Sequence, residues 1–105
     1  MAEQLTHEAF AECLQTRFQV QVAPDQIVEL ELTHVSEFKV SPRQEQFALV
    51  FRGPNEVFLG QGTRSLDHYQ MGQFLLFLVP ISQDDQGFCY EAVFNRVREQ
   101  AETAG

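Results

Sequence analysis

The chain has no tryptophan, only two cysteines and four prolines, and no apolar run of 18 residues in its 105. The missing long run excludes a transmembrane helix. Two cysteines, Cys13 and Cys89, are too few for a disulfide scaffold and are expected to be reduced and buried as small hydrophobes. The opening Met1-Ala2-Glu3-Gln4-Leu5 carries no basic n-region and no long apolar h-region, so the sequence predicts no signal peptide and a cytoplasmic protein. Basic residues are also scarce. Seven stand against fifteen acids, a net charge of −8, which argues against a nucleic-acid backbone as partner. No membrane partner is expected either.

What is present is a core. Ten phenylalanines accompany two tyrosines, and a ring with no polar handle belongs inside. A chain of this size buries enough surface for one core without staples, so a single domain over residues 1–105 is expected. The charge is uneven. Residues 1–37 hold Glu3, Glu8, Glu12, Asp25, Glu29, Glu31 and Glu37 against Arg17 alone, a balance of −6, whereas residues 38–105 carry eight acids and six bases. This reads as an acidic solvated face, with a docking face for a basic partner as the sharper alternative. The near-balanced remainder disfavours a DNA mimic.

A helical pattern is confined to about residues 6–15. Thr6 is the expected N-cap, Glu8 suits the first turn, and Leu5 and Phe10 have the spacing of a hydrophobic staple. Phe10, Cys13 and Leu14 fall on one face. From Thr16 the period becomes two. Phe18, Val20 and Val22 alternate with polar residues, as do Val28, Leu30 and Leu32 after Pro24-Asp25. A three-residue loop, Pro24-Asp25-Gln26, would pair Val22 with Val28, Val20 with Leu30 and Phe18 with Leu32, placing Gln21 against Glu29 and Gln19 against Glu31. A bulge is expected near His34–Ser36, and a turn at Ser41–Gln44. Phe47, Leu49 and Phe51 define the next inner face, with Ala48 and Val50 suggesting cover on both sides. A short edge strand at Val57–Leu59 and a strand at Thr63–His68 follow. Phe74–Ile81 reads as a central strand apolar on both faces, Ser82–Gly87 as a loop, and Phe88–Val97 as the last strand with Phe88, Tyr90, Ala92 and Phe94 inward. A frayed tail is expected from about residue 98 to 105. The result is a mainly β (α+β) chain. A short N-terminal helix precedes about six antiparallel strands over residues 16–97, curled into a small barrel or tight sandwich.

Chemistry-bearing patterns are few. Gly60-Gln61-Gly62 lacks the third glycine and the lysine of a phosphate cradle and reads as turn backbone. His7, His34, His68 and the cysteines show no metal-ligand spacing, so neither metal nor cofactor is expected. Cys89 has no basic neighbour in sequence to activate it. Asp67 and His68 are adjacent on a strand and point to opposite faces. Glu29 and Glu31 share a face that reads as solvated.

The second half carries an ordered set of motifs: Phe51-Arg52-Gly53-Pro54, Gln61-Gly62-Thr63, Leu66-Asp67-His68 with Gly72, Leu76-Phe77-Leu78-Val79-Pro80, then Gly87 and Tyr90-Glu91-Ala92-Val93-Phe94-Asn95. With Leu5-Thr6…Phe10 and Phe18-Gln19-Val20, this order resembles a family of short bacterial proteins grouped as a domain of unknown function, over about residues 5–95. The resemblance implies no catalytic residue. It implies a small accessory partner associated with phage-tail-like assemblies. Two functions follow as expectations. One is a non-catalytic interaction or accessory module with a protein partner, or a homodimer through Phe74–Ile81, with Arg52, Arg64, His68 and Asn95 as candidate partner-binding residues. The other is a small ligand-binding or hydrolytic barrel using His68, Cys89 and Tyr90.

Overall fold

The structure, a computed structural model, describes residues 6–97, so the expected tail and Leu5 lie outside the described residues. Helix α1 spans His7–Glu12. Seven strands follow: β1 Arg17–Ala23, β2 Gln26–Val35, β3 Lys39–Val40, β4 Gln44–Gly53, β5 Gly62–His68, β6 Gly72–Asp84 and β7 Gly87–Val97. Neighbours run β2-β1-β5-β6-β7-β4, and β4 returns to β2, so six antiparallel strands close a barrel. The seventh is the two-residue β3, an extra rung on β4.

Closure rests on two long strands that change partners. β2 pairs with β1 as far as Glu31 and with β4 from Glu31 to Val35, with its irregularity at Thr33, one residue before the expected bulge. β6 pairs with β5 from Gly72 to Leu78 and with β7 from Val79 to Asp84, with an irregularity at Ile81. Each strand passes a corner from one half of the barrel to the other. A bulge at a corner supplies the bend. Pro80, which has no N–H to give a ladder, sits at that corner.

The alternating strands bury the faces their period indicates. Phe18, Val20, Val28, Leu30 and Leu32 are buried, as are Phe47, Leu49, Phe51, Tyr90 and Ala92. The β1–β2 register differs from the expected one by two residues. Phe18 pairs with Leu30 and Val20 with Val28, and a bulge at Val22 leaves only Pro24-Asp25 in the turn. A two-residue shift keeps every side chain on its face, so the hydrophobic pattern does not resist it. Arg17 consequently stands opposite Glu31 and reaches diagonally to Glu29 at 3.0 Å.

Three further expectations are corrected. The helix is shorter than 6–15. Cys13 caps it, Gln15 turns the chain with φ 67°, and Leu14 is left 41% exposed instead of joining Phe10 and Cys13. Val57–Leu59 forms no strand; Leu59 is buried with its N–H donated to the Tyr90 hydroxyl at 3.0 Å. Ser82–Gly87 is not a loop. β6 continues to Asp84, and the hairpin turn is Asp85-Gln86 alone, leading into Gly87 with φ +143°.

At one mouth the barrel is stoppered by α1. Thr6 caps the helix as expected, its hydroxyl accepting from the Ala9 N–H at 3.1 Å. Phe10, fully buried, then stands between Phe74 of β6 and Phe94 of β7, with centroid distances of 5.8 and 5.5 Å. These two rings lie past the point where the β6–β7 ladder ends, so Phe10 fills the space where those strands part. Phe18 and Phe47 complete the cluster at 6.5 and 6.3 Å from it.

Candidate functional site

His68 ends β5 and is 5% exposed. Its Nδ1 accepts the backbone N–H groups of Gln70 and Met71, each at 3.1 Å, and so carries no proton. The Thr16 hydroxyl donates to the Cys13 carbonyl at 2.6 Å and lies 2.8 Å from Nε2, so the proton on Nε2 is donated to Thr16 Oγ1. Phe18 and Tyr69 flank the ring at 4.2 and 4.5 Å. Both nitrogens are thus engaged by the fold. His68 clasps the turn after β5 to the chain leaving α1, and no lone pair is free for a substrate proton.

Burial lowers the His68 pKa from its ordinary value of 6.5 by penalising the imidazolium. The unfolded chain therefore binds this proton more readily than the folded one. The neutral-ring contribution to stability is complete above pH 6.5 and declines as pH falls below it. Urea denaturation followed from pH 8 to pH 5 should accordingly show stability falling on the acid side, and His68→Asn should reduce that dependence. An unchanged pH profile in the variant would contradict the clasp.

The other candidate groups are held elsewhere. Tyr90 is buried and accepts from Leu59. Cys89 neighbours Tyr90 on β7, so the alternation of the strand turns the two to opposite faces. The thiol nearer to His68 is that of Cys13, 4.0 Å from Nδ1, and burial raises its pKa, with the Glu12 carboxylate adding to the shift. A buried thiol held neutral beside an engaged imidazole is not an activated nucleophile. Among the described residues, no group of three histidine, cysteine or carboxylate side chains comes together to hold a metal ion.

The four candidate partner-binding residues are held by separate neighbours. Arg52 donates to Gln86 Oε1 at 2.8 Å and lies 3.6 Å from the Asp84 carboxylate, gripping the β6–β7 turn. Asn55 assists from the same side, donating to the carbonyls of Asp84 and Asp85 at 3.1 Å each. Arg64 donates to the Gly60 carbonyl at 3.0 Å. His68 holds the turns just described, and Asn95 stands exposed on β7 across from Gln46. A surface groove of about 610 Å³ includes Arg52 but not Arg64, His68 or Asn95. It runs between the β1–β2 hairpin and the segment after β4, with Arg17, Ile27, Glu29, Pro54 and Val57 in its wall.

The outer surface of β6 lies in Phe74–Ile81, the segment through which the sequence suggested a homodimer. The inner residues Phe74, Leu76 and Leu78 are buried, while Leu75 is 65% and Phe77 50% exposed. The strand expected to be covered on both sides is covered on one. Across the β5–β6 ladder Leu75 stands beside Ser65 and Phe77 beside Thr63, and Asp67 lies two residues further along the same face of β5.

The family model described as "Domain of unknown function (DUF6916)" matches residues 5–94. The chain belongs to the DUF6916 family. No curated protein and no solved structure matches it. In this DUF6916 domain the motif residues have identifiable structural work. Leu76–Pro80 carries β6 to its corner, Tyr90–Phe94 forms the middle of β7, and Gly53 and Gly87 allow β4 and β7 to meet closely at the turn. Arg52, Arg64 and His68 lie inside the matched span and Asn95 one residue beyond it.

Proposed function

We propose that this domain is a non-catalytic protein-interaction module, an accessory piece of a larger bacterial or phage-tail-like assembly that works in the cytoplasm. The observation that carries this reading is the outer face of β6, where Leu75 is 65% and Phe77 50% exposed on a stretch, Gly72–Ser82, without a charged residue. Large apolar side chains placed together on a sheet surface mark a surface that another molecule covers. The state of the interior supports the same reading. His68 and Tyr90 spend their polar atoms on the fold, and aromatic rings fill the mouth closed by α1. A ligand-binding or hydrolytic barrel would need His68, Cys89 and Tyr90 to face one cavity, and the polar atoms of His68 and Tyr90 are engaged by separate parts of the chain. Among the described residues no helix is long and apolar enough to cross a membrane.

The test is affinity capture from a lysate of the source organism with the tagged full chain, read by mass spectrometry. The wild type should retain a stoichiometric partner. Phe77→Glu, folded and with a melting temperature near that of the wild type, should lose it. Capture of nothing by monodisperse wild-type protein, or equal retention by the variant, would overturn the proposal.

A further inference from the structure

The β6–β7 ladder stops at Val79–Glu91. From Gly72 to Leu78, β6 is paired with β5 on one side, and no pairing is present on its other side among the described residues. Among the described residues the barrel therefore has an open strand edge of seven residues, roughly 23 Å long at 3.3 Å per residue. Proteins usually guard such edges with lysine, proline, a bulge or a charge. The segment Gln73-Phe74-Leu75-Leu76-Phe77-Leu78 carries none of these, and its ladder with β5 is regular.

We infer that this edge pairs with the same edge of a second copy of the chain, β6 against β6, antiparallel about a two-fold axis at Leu76. The inference rests on the reading of β6 as a contact surface and adds a second copy at the edge of the strand, beside the outer face that the partner would cover. The sequence suits self-pairing. About Leu76, Leu75 falls opposite Phe77 of the second copy and Phe74 opposite its Leu78, so outward residues meet outward ones and inward meet inward. The pairing joins the β2-β1-β5-β6 sheets of two copies into one of eight strands.

The charge distribution favours this occupant over a charged partner. Glu29 and Glu31 lie on β2, three strand positions from β6. In the paired sheet the two β2 strands stand seven positions apart, about 34 Å at 4.8 Å per strand. That is several times the screening length of roughly 8 Å at physiological salt, so these β2 carboxylates offer little opposition. A basic partner would find its complement on the β1–β2 hairpin, not along an uncharged edge.

Two measurements on the full chain test this. Light scattering across a concentration series should give a dimer mass for the wild type, and Phe77→Glu should raise the dissociation constant by about tenfold or more. Oxidation of a mixture of Leu75→Cys and Phe77→Cys chains should give more cross-linked dimer than either chain alone. A wild type monomeric at every concentration, a dimer insensitive to Phe77→Glu, or no cross-linking advantage in the mixture would overturn the inference. A monomer that still captures a partner through Phe77 would defeat the self-pairing and leave the proposed function standing. A β6-paired dimer that captures nothing would do the reverse.

Discussion

Phe10→Ala should destabilise the domain by about 3–5 kcal/mol, the usual range for removing a buried phenylalanine. Phe10 has no exposed surface, and its ring stands within 6.5 Å, centroid to centroid, of Phe18, Phe47, Phe74 and Phe94. The effect belongs in the upper part of the range for a structural reason. Past Val79–Glu91 there is no β6–β7 ladder to hold Phe74 near Phe94, so the neighbouring strands close on the cavity only by breaking pairings elsewhere. A domain of this size is stable by about 5–15 kcal/mol in total, so the variant should be visibly unstable to urea. Leu14→Ala is the matched control. Leu14 follows α1 directly but is exposed, and its loss should cost less than about 1 kcal/mol. Urea unfolding of both chains measures the difference. Equal small effects would mean that α1 does not close the barrel.

Gly87→Ala should cost about 3 kcal/mol or more. A Cβ at this position would lie 1.9 Å from the Gly53 carbonyl oxygen and 3.1 Å from its carbon, and the backbone φ is +143°. The obstacle is backbone in the adjoining strand, which does not swing aside as a side chain would. Relief requires opening the end of the β4–β7 ladder at Gly53–Phe88 and disturbing the Asp85-Gln86 turn that Arg52 and Asn55 hold. Gly60→Ala offers the contrast. It meets nothing within 4 Å and should change stability by less than about 0.5 kcal/mol. Chemical denaturation of the pair checks this, and a near-neutral Gly87→Ala would contradict the close approach.

Sequence periodicity carried much of this architecture because a strand shows its buried face in every second residue. Phe18 and Val20, Phe47 to Phe51, and Tyr90 and Ala92 all lie inward as alternation requires. What escaped it has a physical cause in each case. The β1–β2 register slid by two because parity is blind to even shifts, and the bulge at Val22 leaves no mark in composition. The corners of β2 and β6 depend on partners far away in the chain. Phe74–Ile81 has no alternation, so the outward exposure of Leu75 and Phe77 could not be separated from two-sided burial.

The polar residues divide the same way. His68 stands beside its own turn at Tyr69–Gly72, and that half of its clasp is local; Thr16, the other half, is 52 residues away. The grip of Arg52 on Gln86 spans 34 residues, and nothing in the local pattern links them. Arg52 and His68 in the motifs are accounted for by the contacts that hold turns in place, without a shared site.

The most direct test of the account is capture from lysate with three tagged chains in parallel: wild type, Phe77→Glu and His68→Asn. The account places function on the outer face of β6 and structure at His68. It predicts that folded His68→Asn retains the partner bound by the wild type and that Phe77→Glu releases it. Release by His68→Asn with retention by Phe77→Glu would contradict it.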